Sequence, residues 1–137
     1  MLRLTLVTPV KKLTTELPVE EVLVPGDRGE LDILAGHAPL VTTLKTGVLK
    51  YREAGSTEYK VAAISWGYCE VFADHVSVLA ETAELPAEID AERAKAALAK
   101  AEEKLSAFAD DSYDLNKYSA KLERAYVRLT IAENKNN

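Results

Sequence analysis

Residues 76–100 read VSVLAETAELPAEIDAERAKAALAK, and the chain changes character inside them, at Pro86. Up to Pro86 the chemistry is that of strands, rich in β-branched residues; beyond it Ala, Glu and Lys dominate, which is helix chemistry. The rest of the chain divides at the same point. All six glycines (Gly26, Gly29, Gly36, Gly47, Gly55 and Gly67) precede Pro86, and all five prolines (Pro9, Pro18, Pro25, Pro39 and Pro86) lie at or before it. Strand and helix chemistry segregated in this way predicts an α+β protein. The expected parts are an all-β domain over residues 1–85, a sandwich or a barrel, and an antiparallel two-helix hairpin over 86–137.

Working toward the N-terminus from Pro86, strand patterns recur at short intervals. Leu2, Leu4 and Leu6 alternate with polar residues, and Leu17, Val19, Val22 and Val24 follow, ending at Pro25-Gly26-Asp27. Residues 47–52 lead into Glu53-Ala54-Gly55-Ser56, which reads as a hairpin turn, and 58–62 as the returning strand. Residues 64–72 and 76–80 complete the set. Periodicity alone leaves sandwich and barrel both open. Trp66-Gly67 predicts a packed aromatic and a strand irregularity. The stretch GELDILAGHAPLVTTLKTG, 29–47, shows neither a helical nor a clean strand pattern, and its glycines and Pro39 predict an exposed loop of special shape.

Beyond Pro86 two apolar stripes follow the spacing of a helix: Ala91, Ala94, Leu98, Ala101, Leu105 and Phe108, then Leu115, Tyr118, Leu122, Ala125, Leu129 and Ala132. Asp110 to Asp114 is a polar break between them. Asp90 suits the N-cap of the first helix, with Glu92 favourable in its first turn. Alanine-rich faces allow close packing but bury little area, so the hairpin is expected to be marginal by itself.

The composition excludes several classes of function. A net charge of −5 argues against nucleic acid as the main partner. The one cysteine, Cys69, rules out an intramolecular disulfide and reads as a buried, inert thiol. No apolar run reaches the length of a membrane span, and the alternating N-terminus does not read as a signal peptide, so membrane association is expected only through a partner. The two histidines, His37 and His75, lie in no metal-ligand spacing, so no metal is expected. Glu30, Asp32 and His37 lack the partners an acid–base site needs. Ser65 and Ser77 stand in no nucleophile frame, and no phosphate-cradling glycine loop occurs. No catalytic residue is expected. Arg93, Arg124 and Arg128 would converge in an antiparallel hairpin. Two readings stand side by side: a site for a nucleotide phosphate, or a salt-bridge network with Asp90, Glu92 and Glu123.

The segment GELDILAGHAPL resembles the signature loop region in the N-terminal domain of the epsilon subunit of F-type ATP synthases. Ile89-Asp90-Ala91-Glu92-Arg93-Ala94 is similar to the Ile/Leu-Asp-x-x-Arg-Ala nucleotide motif of some bacterial members. The segment from Leu122 to Leu129 matches the second-helix arginine segment, and Glu84 an acidic position before the motif. Asp32 stands where many relatives have glycine, and Lys100 where one type has arginine. The resemblance implies a non-catalytic epsilon subunit of a bacterial proton-translocating synthase. It would contact the gamma subunit and the c-ring through the β domain, with Glu30 and His37 as contact residues, and the alpha/beta hexamer when its helices extend to inhibit ATP hydrolysis. It implies a peripheral place on the cytoplasmic face of the plasma membrane. No cofactor is required. ATP is left open as a regulatory ligand of Glu84, Ile89, Asp90, Arg93, Arg124 and Arg128. The alternative is a free-standing nucleotide-binding module.

Overall fold

A computed structural model describes residues 1–107 and 112–134. The elements run β1 (Leu2–Val7), β2 (Lys12–Gly26), β3 (Gly29–Leu34), β4 (Leu40–Leu44), β5 (Gly47–Glu53), β6 (Tyr59–Phe72), β7 (His75–Glu84), a 3₁₀ turn (Pro86–Glu88), α1 (Ala91–Ala107) and α2 (Ser112–Asn134). The chain divides into two units, Met1–Leu85 and Pro86–Asn137. The first is all strand and the second helical, so the fold is α+β by segregation.

In the first unit the pairings close a ring. β1 lies parallel to β7, while β7–β6, β6–β5, β5–β2 and β2–β1 are antiparallel; β4 attaches to β6 and β3 to β2. The long strands β2 and β6 make this closure. β2 pairs first with β1 and then with β5, and β6 pairs first with β5 and then with β4. Leu2, Leu4, Leu6, Val22, Val24, Ile33, Leu49, Ile64, Val76 and Val78 fill the interior. Each such side chain contributes roughly 1.5–3 kcal/mol by leaving water.

One irregularity in this ring was written into the residue spacing. Val19 and Val22 are both buried although three apart, and the register of β2 on β5 slips between Val19 and Glu21. A bulge inserts one residue and resets the alternation, so Val22 and Val24 face the core again.

Three expectations require correction. The stretch 29–47 is mostly strand: β3 and β4 flank an irregular segment of only residues 35–39. Leu31 and Ile33 turn inward while Glu30, Asp32 and Leu34 turn outward, so the alternation is present but includes an apolar residue, Leu34, on the wet face. The two segments expected at 58–62 and 64–72 form one strand, β6, which begins at Tyr59 and whose consecutive buried positions Ala62, Ala63, Ile64 and Ser65 hid its period. Trp66 is exposed, not packed. Gly67 marks no slip, because the β6–β7 register runs on one count from Ala63↔Glu84 to Phe72↔His75. It marks a close approach: a Cβ there would lie 1.9 Å from the Leu79 carbonyl oxygen.

The second unit follows its stripes. Ala94 and Ala101 of α1 and Ala125, Ile131 and Ala132 of α2 are buried, with Leu98, Leu105, Leu122 and Leu129 half-buried between them. The helices α1 and α2 pack on each other. Phe108 and the break at Asp110-Asp111 lie outside the described residues. Asp90 caps α1: its Oδ1 accepts the Arg93 N–H at 3.2 Å and its carbonyl the Ala94 N–H at 3.0 Å. No helix among the described residues is long and apolar enough to cross a membrane.

Candidate contact loop and arginine helices

β3 ends in a tight turn. The His37 N–H donates to the Leu34 carbonyl at 3.1 Å, and Gly36 holds a φ of 81°. That is type II geometry, where the third position needs a positive φ and glycine supplies it without strain. His37 Nδ1–H donates to the Ala38 carbonyl at 2.8 Å, which orients the ring, and Pro39 keeps Ala38 extended before β4 begins. His37 is half-buried and Glu30 exposed on β3, opposite Pro25. The loop is tied across the domain by the Gly36 N–H, which donates to Oδ1 of Asp74 at 2.9 Å. Thr43 of β4 also donates to Asp27, in the turn between β2 and β3.

Two surface features escaped the sequence reading. The first is a charged network on the outer face of β3, β2, β5 and β6. The Tyr59 hydroxyl donates to Glu21 at 2.5 Å, and Arg52 bridges Glu20 at 3.2 Å and Glu21 at 3.7 Å. The Tyr59 hydrogen bond holds the Glu21 carboxyl below its usual range. Asp32, diagonal to Glu21, is pushed up, first by loss of hydration and then by the neighbouring Glu21 carboxyl. The β2 bulge creates this network by presenting Glu20 and Glu21 together to Arg52. The second is an apolar face. Trp66 (59% exposed), Tyr68 (60%) and Phe72 (64%) line the outer side of β6, with Leu79 beside Tyr68 on β7 and Val41 on β4. Alternation along β6 signals that one face is outward; it does not say that the neighbouring strands leave its aromatics exposed.

The remaining candidate residues fall on different elements. Glu84 ends β7, Ile89 and Asp90 precede α1, and Arg93 lies in its first turn. Arg124 and Arg128 share one face of α2 and are half-buried, whereas Arg93 is exposed. Glu92 bridges Lys95 at 3.6 Å, an exposed pair of small value. Cys69 is buried and its thiol is pushed up to about 11 by that burial. Among the described residues no cluster of three or more His, Cys, Asp or Glu is placed to hold a metal ion.

A closed β unit with a tied surface loop, followed by a helical pair, defines a two-unit α+β protein. The model of the ATP synthase delta/epsilon chain β-sandwich domain matches residues 1–86, and that of the delta/epsilon chain long α-helix domain matches 87–133. The chain belongs to the ATP synthase delta/epsilon chain family, as an epsilon-type, non-catalytic subunit. It is 47% identical over 131 residues to the ATP synthase epsilon chain of Geobacter sp. (strain M21), covering 96% of this chain and 93% of that one. It is 49% identical over 104 residues to the epsilon chain of Bdellovibrio bacteriovorus, covering 76% and 74%. Among solved structures it resembles a chain of the Euglena gracilis mitochondrial ATP synthase, resolved with OSCP, F1 and c-ring. The TM-score is 0.81 at 26% identity, over 91% of this chain and 77% of that one. A chain from the Tetrahymena thermophila mitochondrial enzyme shares the fold alone, with a TM-score of 0.57 at 16% identity over 97% and 95%.

Proposed function

We propose that this subunit couples a proton-driven rotor ring to the catalytic head through gamma, at the cytoplasmic face of the plasma membrane, and that its helical unit restrains ATP hydrolysis. The observation that carries the coupling half is the surface from Gly29 to Val41. It places exposed Glu30 and half-buried His37 on a turn braced by Gly36 and Asp74, on a unit with its own core. A braced loop can transmit force, whereas a loose one would yield. The Euglena relative was solved together with a c-ring, which supports assigning the loop to the ring. The aromatic face of Trp66, Tyr68 and Phe72 has the chemistry of a protein–protein contact and is assigned to gamma.

The regulatory half rests on weak packing. The fully buried positions of α1 are alanines, Ala94 and Ala101, and each buried methyl-sized group is worth only about 0.8 kcal/mol. Such a helix pair leaves a packed state at small expense and lies along a partner instead, here gamma and the alpha/beta hexamer. ATP held by Asp90, Arg93, Arg124 and Arg128, with Ile89 contributing, would stabilise the folded-back pair by RT ln(1 + [L]/Kd), about 2.7 kcal/mol at a hundredfold excess over Kd. Low ATP then releases the brake helices. Co-purification with gamma before and after deletion of everything beyond Pro86 is the deciding experiment. Gamma binding should survive the deletion and inhibition of hydrolysis should vanish. Loss of gamma binding, or hydrolysis unaffected by the deletion, would refute the corresponding half. Calorimetric titration with ATP separately tests the nucleotide site.

A further inference from the structure

The turn that carries His37 makes most of its hydrogen bonds within itself. The His37 N–H returns to Leu34, and the His37 ring to Ala38. The bond that leaves it is the one from the Gly36 N–H to Oδ1 of Asp74, 2.9 Å long and spanning 38 positions of sequence. Asp74 sits in the turn between β6 and β7, closed by the pair Phe72↔His75. Ala73 and Asp74 both hold positive φ, 49° and 63°. That is the geometry of a two-residue hairpin turn, where aspartate is among the few side chains tolerated. The Asp74 carbonyl meanwhile accepts the Arg3 N–H of β1 at 2.9 Å. One residue thus joins three segments far apart in sequence. Its carboxylate gives the Gly36 amide a charged acceptor, stronger than a neutral one.

We propose that Asp74 is a positioning residue for the His37 loop: it fixes the orientation in which that loop meets the rotor without itself contacting the partner. This rests on the rotor-facing reading of the loop, so the test separates the two. Asp74→Gly keeps the left-handed turn and the backbone bond to Arg3 while deleting the acceptor; Asp74→Asn keeps an acceptor without charge. In the full chain, amide hydrogen exchange at Gly36 should quicken about tenfold in Asp74→Gly, the effect of losing a bond of ~1.4 kcal/mol. Asp74→Asn should fall between that variant and the parent, and core amides of β6 should not change. In the reconstituted synthase, Asp74→Gly should lower proton-driven ATP synthesis relative to ATP hydrolysis, in the same direction as Glu30→Ala and His37→Ala, with the subunit still retained. Unchanged Gly36 exchange overturns the positioning role. Faster exchange with parental coupling, where Glu30→Ala and His37→Ala do lower coupling, overturns its functional consequence. If those two variants leave coupling intact, the rotor-facing reading falls, and the exchange result still decides whether Asp74 holds the loop.

Discussion

Gly67→Ala should destabilise the β unit far more than a surface glycine substitution has any reason to. The added Cβ would lie 1.9 Å from the Leu79 carbonyl oxygen and 2.9 Å from the Ala80 Cα, both backbone atoms with no rotamer to move. Carbon–oxygen contacts between strands close to roughly 3.3 Å, so β6 and β7 must part locally by more than ~1 Å. Overpacking of this kind costs about 1–3 kcal/mol. Separation also lengthens the ladder bonds around Gly67↔Ala80, at about 0.5–1.5 kcal/mol each. Alanine returns about 0.5–1 kcal/mol through lower chain entropy. The balance is a loss of about 2–4 kcal/mol, and for a domain of this size the melting point should fall by about 8 °C or more. Urea titration of the full chain followed by far-UV circular dichroism measures it. Gly36→Ala is the comparison: nothing lies within 4 Å of its added Cβ, but φ is +81°, so only conformational strain of about 1–2 kcal/mol applies. A Gly67→Ala variant within ~0.5 kcal/mol of the parent, a change typical of ordinary surface substitutions, would refute the close-approach argument.

Further outcomes follow from the same structure. Asp90→Ala should remove the α1 cap and weaken the helical unit by about 1 kcal/mol, read as faster amide exchange at Arg93 and its neighbours while β-unit amides keep their protection. Native Cys69 should resist alkylation at pH 8 until the chain is unfolded, because burial holds its thiol near 11; prompt labelling of the folded protein would contradict this. Asp32→Asn should raise the melting temperature at neutral pH. Asp32 is raised in the folded state, so folding disfavours its charge; the gain should shrink as pH falls and Asp32 takes up a proton in both states. Glu21 has the opposite sign. Its depressed folded-state value contributes stability above its ordinary range, lost as pH falls through the folded value, and Tyr59→Phe should diminish that acid-side loss, as measured by melting against pH.

Much of this protein is local chemistry and was legible along the chain. Strand and helix class follow from β-branched and alanine-rich composition, the stripes of α1 and α2 from their spacing, and the cap from Asp90 standing before Ala91. These depend on residues within one helical turn or two strand positions, so the order of residues contains them. The glycine of the turn before His37 was visible too, as was the fate of Cys69 among strand residues. What tertiary structure decided involves partners remote in sequence. The closure of the ring needs β1 beside β7, and the exposure of Trp66 depends on which face of β6 its neighbours cover. Gly67 owes its importance to the carbonyl of Leu79, Glu20 and Glu21 are gathered by Arg52 and Tyr59, and the His37 turn is held by Asp74. In each case the deciding atom is set by strand register, which local propensity does not specify.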